Sequence, residues 1–100
     1  MKKYFALKLI APRTTFPMDM SAEERAIMQQ HVAYWKDLMD KGFVVAFGPV
    51  LDPNGVYGLG IIEAESEVQV NSFIANDPAT QINKYEAYPM MAVVPAVRHE

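Results

Sequence analysis

The chain has 100 residues, a hydrophobic fraction of 51%, a formal net charge of −3 at pH 7 and no cysteine. This length predicts one domain over residues 1–100, and the hydrophobic fraction argues against disorder. The negative charge leaves no general basic surface for nucleic acid or an anionic membrane, and the lack of cysteine excludes disulfides and thiolate chemistry.

The first predicted element is a strand over residues 3–10. Lys8 interrupts its apolar run, which favours a strand over a signal peptide. No apolar stretch approaches the ~20 residues that span a bilayer, so we expect a cytoplasmic protein. Residues 11–20 are predicted to be a loop, because Pro12 and Pro17 block regular structure.

A long helix is predicted next. Ser21-Ala22-Glu23-Glu24 has the pattern of a capping box, in which the Ser21 and Glu24 side chains satisfy each other's backbone amides. The helix extends to about Lys41, and Gly42 can adopt the left-handed conformation that ends it. Its apolar stripe consists of Ile27, Met28, Val32, Trp35, Leu38 and Met39.

A β-hairpin follows the helix. The first strand is predicted over residues 43–47 and is closed by Gly48-Pro49. Asp52-Pro53-Asn54-Gly55 is a strong turn sequence, and the second strand covers residues 56–64. Gly58 and Gly60, two residues apart, share one face of this strand and leave its backbone open to close approach.

The last two elements are a short helix and a strand. Ser66-Glu67-Val68-Gln69 has the pattern of a second capping box, and the helix ends at about Asn76 because Asp77-Pro78 follows. The final strand is predicted from Lys84 to about Val94. Pro89 within it indicates an edge strand or a bulge.

The order strand, helix, strand, strand, helix, strand predicts an α+β, ferredoxin-like βαββαβ fold, with a four-stranded antiparallel sheet and two helices on one face. Strand residues 43–47, 59–62 and 90–94 are apolar on both faces, although a strand with one wet face should alternate. We therefore expect a sheet-to-sheet homodimer to cover the second face.

Two residues are candidate catalytic groups. His31 lies on the apolar stripe of the long helix, where a neutral imidazole can act as a general acid or base; the alternative is a half-buried histidine bonded to a carbonyl. Asp77 ends the second helix, and a turn or capping role is its alternative. If Asp77 reaches His31, its carboxylate fixes the imidazole tautomer.

Other residues are candidates for substrate binding. Arg13 in the loop could clamp a carboxylate, although a solvated role is the alternative. Trp35, Gly48 and Pro49 are predicted to line the pocket, with a core role as the alternative for Trp35. His99 is expected to be inert, and two distant histidines without cysteine predict no metal site.

The chain resembles the YciI-like (YCII-related) proteins of the dimeric α+β barrel group. The resemblance rests on an ordered set of residues: His31, Gly42, Gly48-Pro49, Gly58, Gly60 and Asp77-Pro78. It implies a ferredoxin-like subunit, a homodimer and a site centred on His31 and Asp77. Many relatives carry Arg three residues before this histidine, whereas this chain carries Met28.

Two functions are predicted from these residues. The first is an enzyme without a cofactor that transfers a proton on a small aromatic or lactone-like acid, as an isomerase or lyase would. The alternative is a non-catalytic small-ligand-binding or accessory module, which predicts a pocket without a close His–Asp contact. Haem binding through His31 is a third and weaker alternative, because a single histidine on an apolar stripe is little evidence for a haem ligand.

Overall fold

The computed structural model describes residues 2–95, which form one four-stranded antiparallel sheet with its helices. The elements in chain order are β1 (Lys3–Ile10), α1 (Phe16–Asp19), α2 (Ala22–Asp40), β2 (Val44–Val50), β3 (Tyr57–Ala64), α3 (Glu67–Ala75), a 3₁₀ helix (Pro78–Gln81) and β4 (Lys84–Met90). The strand order is β2-β3-β1-β4, and every neighbouring pair is antiparallel. The predicted ferredoxin-like α+β fold is therefore confirmed.

Helix α2 begins and ends as its sequence predicts. The Ser21 hydroxyl accepts a hydrogen bond from the Glu24 amide, and the Glu24 carboxylate accepts one from the Ser21 amide. Gly42 follows the helix with φ of 90°, a conformation that glycine adopts without steric cost. Trp35 and Leu38 are buried, but Val32 on the predicted stripe is 39% exposed, because it faces a cavity and not the core.

Two strands differ in length from the prediction. Strand β2 continues through Gly48 and Pro49 to Val50, because it is an edge strand in which the missing proline amide costs no ladder bond. Strand β4 stops at Met90, which pairs with Tyr4 near the start of β1, so the partner strand has almost ended there. Pro89 lies in this second edge strand, as predicted.

Two local predictions were wrong. The segment from Ala11 to Met20 contains the one-turn helix α1, because Pro17 falls in its first turn, where a proline is tolerated. The second capping box is only half formed. The Ser66 hydroxyl accepts from the Gln69 amide, but the Gln69 side chain accepts from the Glu65 amide and not from that of Ser66.

The core lies between one face of the sheet and helices α2 and α3. Alternate residues of β1 are buried, as expected for a strand with one covered face. The opposite, open face carries exposed apolar side chains that include Leu59, Tyr88 and Met90. Lys8 lies among them, with its ammonium 4.6 Å from the centre of the Tyr57 ring. Across residues 2–95, no helix is long and apolar enough to cross a membrane.

Candidate active site

The buried carboxylate of Asp77 accepts hydrogen bonds from α2, from β4 and from the 3₁₀ helix. The Asp77 side chain is fully buried, and His31 Nδ1 lies 2.8 Å from its Oδ2 atom. Trp35 Nε1 donates to the same oxygen at 2.8 Å, and the Tyr85 hydroxyl donates to it as well. The Ala79 amide donates to Oδ1 at 2.9 Å, so Asp77 also caps the 3₁₀ helix.

These donors keep Asp77 ionised in the interior. Burial raises the pKa of this carboxyl, but the hydrogen bonds, led by those from His31 and Tyr85, outweigh burial and hold its pKa below the ordinary value. Burial and the bond to Asp77 raise the pKa of Tyr85 well above its ordinary value. Tyr85 therefore stays protonated and acts as a donor.

The ionised carboxylate determines which nitrogen of His31 carries a proton. An aspartate in this state only accepts hydrogen bonds, so the Nδ1 atom facing it must be the donor. The neutral imidazole then has its lone pair on Nε2. Within residues 2–95, no hydrogen-bond partner contacts Nε2, and the His31 side chain is 13% exposed and lines a cavity.

This cavity has a volume of about 320 Å³ and lies between α2, α1 and the sheet. Its wall is mostly apolar; among the residues that the structure describes there, none is Lys, Arg, Asp or Glu. Gly58 and Gly60 line the cavity where it meets β3, without side chains of their own. Polar groups enter the wall from residues that include His31, Asn83 and Tyr85, so the cavity offers a bound molecule a mainly apolar surface with few polar contacts.

The structure brings most of the predicted site residues together. His31 contacts Asp77, and Trp35, Gly48 and Pro49 line the cavity. Trp35 is at the same time a core residue, 3% exposed. A Cβ atom at Gly48 would meet no described atom within 4 Å, so open space borders its backbone.

Arg13 is placed differently from the prediction. It does not line the cavity, and its guanidinium forms ion pairs with Asp19 and Glu24 at 2.8 Å. Both carboxylates already occupy the fork that was predicted to clamp a substrate. The physical reason is the turn of α1, which brings Asp19 back towards Arg13.

Tyr85 and Asn83 are functional candidates that the sequence analysis missed. Tyr85 pairs with Leu9 across β1 and β4, so strand register alone would have placed it on the buried face. Asn83 is 8% exposed, and its amide donates to the Ala79 carbonyl at 3.2 Å. Its amide nitrogen also lies 3.4 Å from the sulfur of Met28.

No cluster of three or more His, Cys, Asp or Glu side chains suited to a metal ion occurs in the described part of the chain. His99 lies outside the described residues.

The fold and the site define a ferredoxin-like α+β protein with a buried carboxylate–imidazole pair beside an apolar cavity. The chain belongs to the YCII-related domain family, whose sequence model matches residues 4–94. The resemblance seen in the sequence is thereby confirmed. A search of curated proteins finds no match.

Two solved structures share the fold. One is 5-chloro-2-hydroxyhydroquinone dehydrochlorinase from Burkholderia phenoliruptrix AC1100 in complex with 2,5-dihydroxybenzoquinone; it is 23% identical with a TM-score of 0.60, over 83% of this chain and 90% of that one. The other is an uncharacterized protein from Thermotoga maritima, 8% identical with a TM-score of 0.56, over 90% of this chain and 99% of that one. At these identities the likeness concerns the fold.

Proposed function

We propose that this protein is a small-molecule enzyme in which His31 transfers a proton and Asp77 orients it. The observation that carries the proposal is the 2.8 Å contact between His31 Nδ1 and Asp77 Oδ2, which leaves Nε2 at the wall of an apolar cavity. A substrate C–H or O–H group at Nε2 gives its proton to the ring. The resulting imidazolium is stabilised by the buried negative charge of Asp77, and the proton then returns to another atom of the substrate or to a leaving group.

The cavity supports the proposed substrate class. Its volume and apolar wall suit one aromatic or lactone ring, and the proposed chemistry is of the isomerase or lyase type with no cofactor. The fold is shared with a dehydrochlorinase whose structure holds 2,5-dihydroxybenzoquinone, which makes hydroxylated rings and small aromatic acids the first compounds to test.

The test combines binding with turnover. Trp35 is the only tryptophan and lines the cavity, so its fluorescence and the thermal midpoint report binding of 2,5-dihydroxybenzoquinone, small phenols, aromatic acids and lactones. Proton transfer is followed as deuterium incorporation at carbon in D₂O. We expect His31→Gln to remain folded and to lose turnover by about 100-fold or more. A fully active His31→Gln protein would contradict the proposal.

The alternative, a binding or accessory module, is favoured less by the geometry. A module of that kind predicts a pocket without a close His–Asp contact, whereas these side chains lie 2.8 Å apart. It predicts that His31→Gln and the wild type bind the same compounds and that neither turns them over.

We further infer that two copies pair through their open sheet faces. Ile61 lies near the centre of this face, since its neighbours across the strands are Ala6 and Ala46. Exposed apolar side chains around it, such as Tyr88 and Met90, would lose contact with water in a dimer. We expect a dimer in sedimentation at micromolar concentration and a monomer for Ile61→Glu; a stable wild-type monomer would contradict this inference.

A further inference from the structure

We propose that Arg13 is a positioning residue of the cavity, which fastens the segment from Ala11 to Met20 to the start of α2 and so holds Phe16 in the cavity wall. The inference goes beyond the proposed reaction, because it concerns access to the cavity whatever binds there.

The guanidinium of Arg13 binds two parts of the chain at once. Its Nε atom donates to Asp19 Oδ1 at 2.8 Å, and Nη2 donates to the Asp19 carbonyl at 3.0 Å. Nη1 and Nη2 also donate to the two carboxylate oxygens of Glu24, at 2.9 and 2.8 Å. A planar fork with several donors can make such paired contacts, which a point charge cannot.

Glu24 connects this contact to the helix. Its Oε1 atom accepts both from Arg13 and from the Ser21 amide of the capping box. The hydrogen bond from Arg13, followed by that from the Ser21 backbone, lowers the pKa of Glu24 to about 2, so its charge is present at neutral pH. The loop is thus attached to the first turn of α2.

The fastened segment forms part of the cavity wall. Phe16 is 4% exposed and lines the cavity together with Pro17 and Met20. The Arg13 guanidinium lies 5.3 Å from the centre of the Phe16 ring. Helix α1 has only four residues, too few to be stable by itself, so contacts outside it must hold Phe16 in place.

Other contacts support the same arrangement. The Thr15 hydroxyl donates to Asp19 at 2.6 Å, and Arg25 donates to the Met20 carbonyl at 2.9 Å. These bonds orient Asp19 and the end of the segment, while Arg13 joins both to Glu24. Loss of Arg13 should therefore let the wall open locally without unfolding the protein.

Collisional quenching of Trp35 by acrylamide measures this opening without a ligand. Trp35 is 3% exposed and lines the cavity, so a quencher must enter to reach it. We expect Arg13→Gln and Glu24→Gln each to raise the quenching constant by about threefold under native conditions. Glutamine at 24 can keep the capping bond through its amide oxygen, while it removes the charge and the acceptor for Arg13 Nη1.

Two controls separate positioning from general damage. Lys41→Gln removes another exposed ion pair, that with Asp37 at 2.9 Å, and should leave quenching unchanged. Arg13→Lys keeps the charge without the fork and should give an intermediate value. As a double-mutant test, Arg13→Gln should add nothing in a Phe16→Ala background, since Arg13 is proposed to act by holding Phe16 in the wall.

Three results would overturn the proposal: unchanged quenching in Arg13→Gln, an equal rise in Lys41→Gln, or a full additional rise in the Phe16→Ala background. A rise that only follows global unfolding by urea would count against it as well. Because the readout needs no substrate, it can succeed or fail independently of whether His31 transfers a proton.

Discussion

The two carboxylate clusters of this protein have similar bond lengths and different surroundings. His31 and Trp35 approach Asp77 to 2.8 Å, and Arg13 approaches both Asp19 and Glu24 to 2.8 Å. The Asp77 side chain is 0% exposed, whereas those of Arg13, Glu24 and Asp19 are 38%, 18% and 49% exposed. Distance alone therefore does not determine how much a hydrogen bond contributes to stability.

The physical reason is what replaces each hydrogen bond when one of its partners is lost. Around Arg13, water and salt replace a lost partner and screen the charges. Around Asp77, a lost partner leaves a buried polar group unpaired, which costs its full desolvation. The buried cluster should therefore determine stability and chemistry, while the exposed cluster acts locally on the loop it fastens.

The largest expected effect comes from removing the buried carboxylate. Asp77→Ala leaves the Trp35 indole, the Tyr85 hydroxyl and the Ala79 amide without their acceptor. We expect a loss of about 3 kcal/mol or more in the free energy of unfolding, measured by urea denaturation. The matched exposed change, Asp19→Ala, should shift the urea midpoint only slightly, since water can replace its hydrogen bonds. Equal shifts in both variants would break the comparison.

A smaller effect is expected from single hydroxyl donors. Tyr85→Phe keeps the ring and removes the donor to Asp77, so we expect a loss of about 1–2 kcal/mol and a rise in the pKa of Asp77, followed by NMR titration. Thr15→Val removes the matching donor to Asp19 in the exposed cluster. If Thr15→Val cost as much as Tyr85→Phe, burial would not be the deciding factor.

The smallest effect is a difference in acid and salt response. The pKa of Asp77 is lower in the folded than in the unfolded protein, so its stabilisation is fully present above about pH 4, the unfolded value, and is lost as pH falls below that value and through the lower folded pKa. Asp77→Asn should flatten this part of the curve of unfolding free energy against pH. The difference in unfolding free energy between the wild type and Glu24→Gln should shrink in about 1 M NaCl, whereas the difference between the wild type and Asp77→Asn should persist.

An opposite salt response, with the Asp77 difference vanishing and the Glu24 difference remaining, would reverse the assignment of buried and exposed clusters. Urea unfolding at each pH and salt concentration provides the measurement for all three proteins.

Most of the fold could be predicted from the sequence, because it depends on interactions between residues close together in the chain. The capping box at Ser21 and Glu24, the terminating Gly42 and the turn at 52–55 each depend on near neighbours, and each formed as predicted. The second box failed because the Glu65 amide competed for the Gln69 side chain. Such competition between neighbouring donors is not visible in a four-residue pattern.

The site was less predictable, because its contacts span the chain. His31 and Asp77 are 46 residues apart, and only the packing of α2 against the 3₁₀ helix decides that they meet. Tyr85 required knowledge of the β1–β4 register. The sequence predicts a substrate role for Arg13, because the prolines of its segment give no sign of the turn of α1 that returns Asp19 to it.

The central claim is that Asp77 holds His31 with the proton on Nδ1 and the lone pair of Nε2 at the cavity. Nitrogen NMR of ¹⁵N-labelled histidine distinguishes a protonated from an unprotonated ring nitrogen directly. At a pH where His31 is neutral, we predict a protonated Nδ1 and an unprotonated Nε2, with this preference lost in Asp77→Asn. A neutral His31 that carries its proton on Nε2 in the wild type would contradict the account.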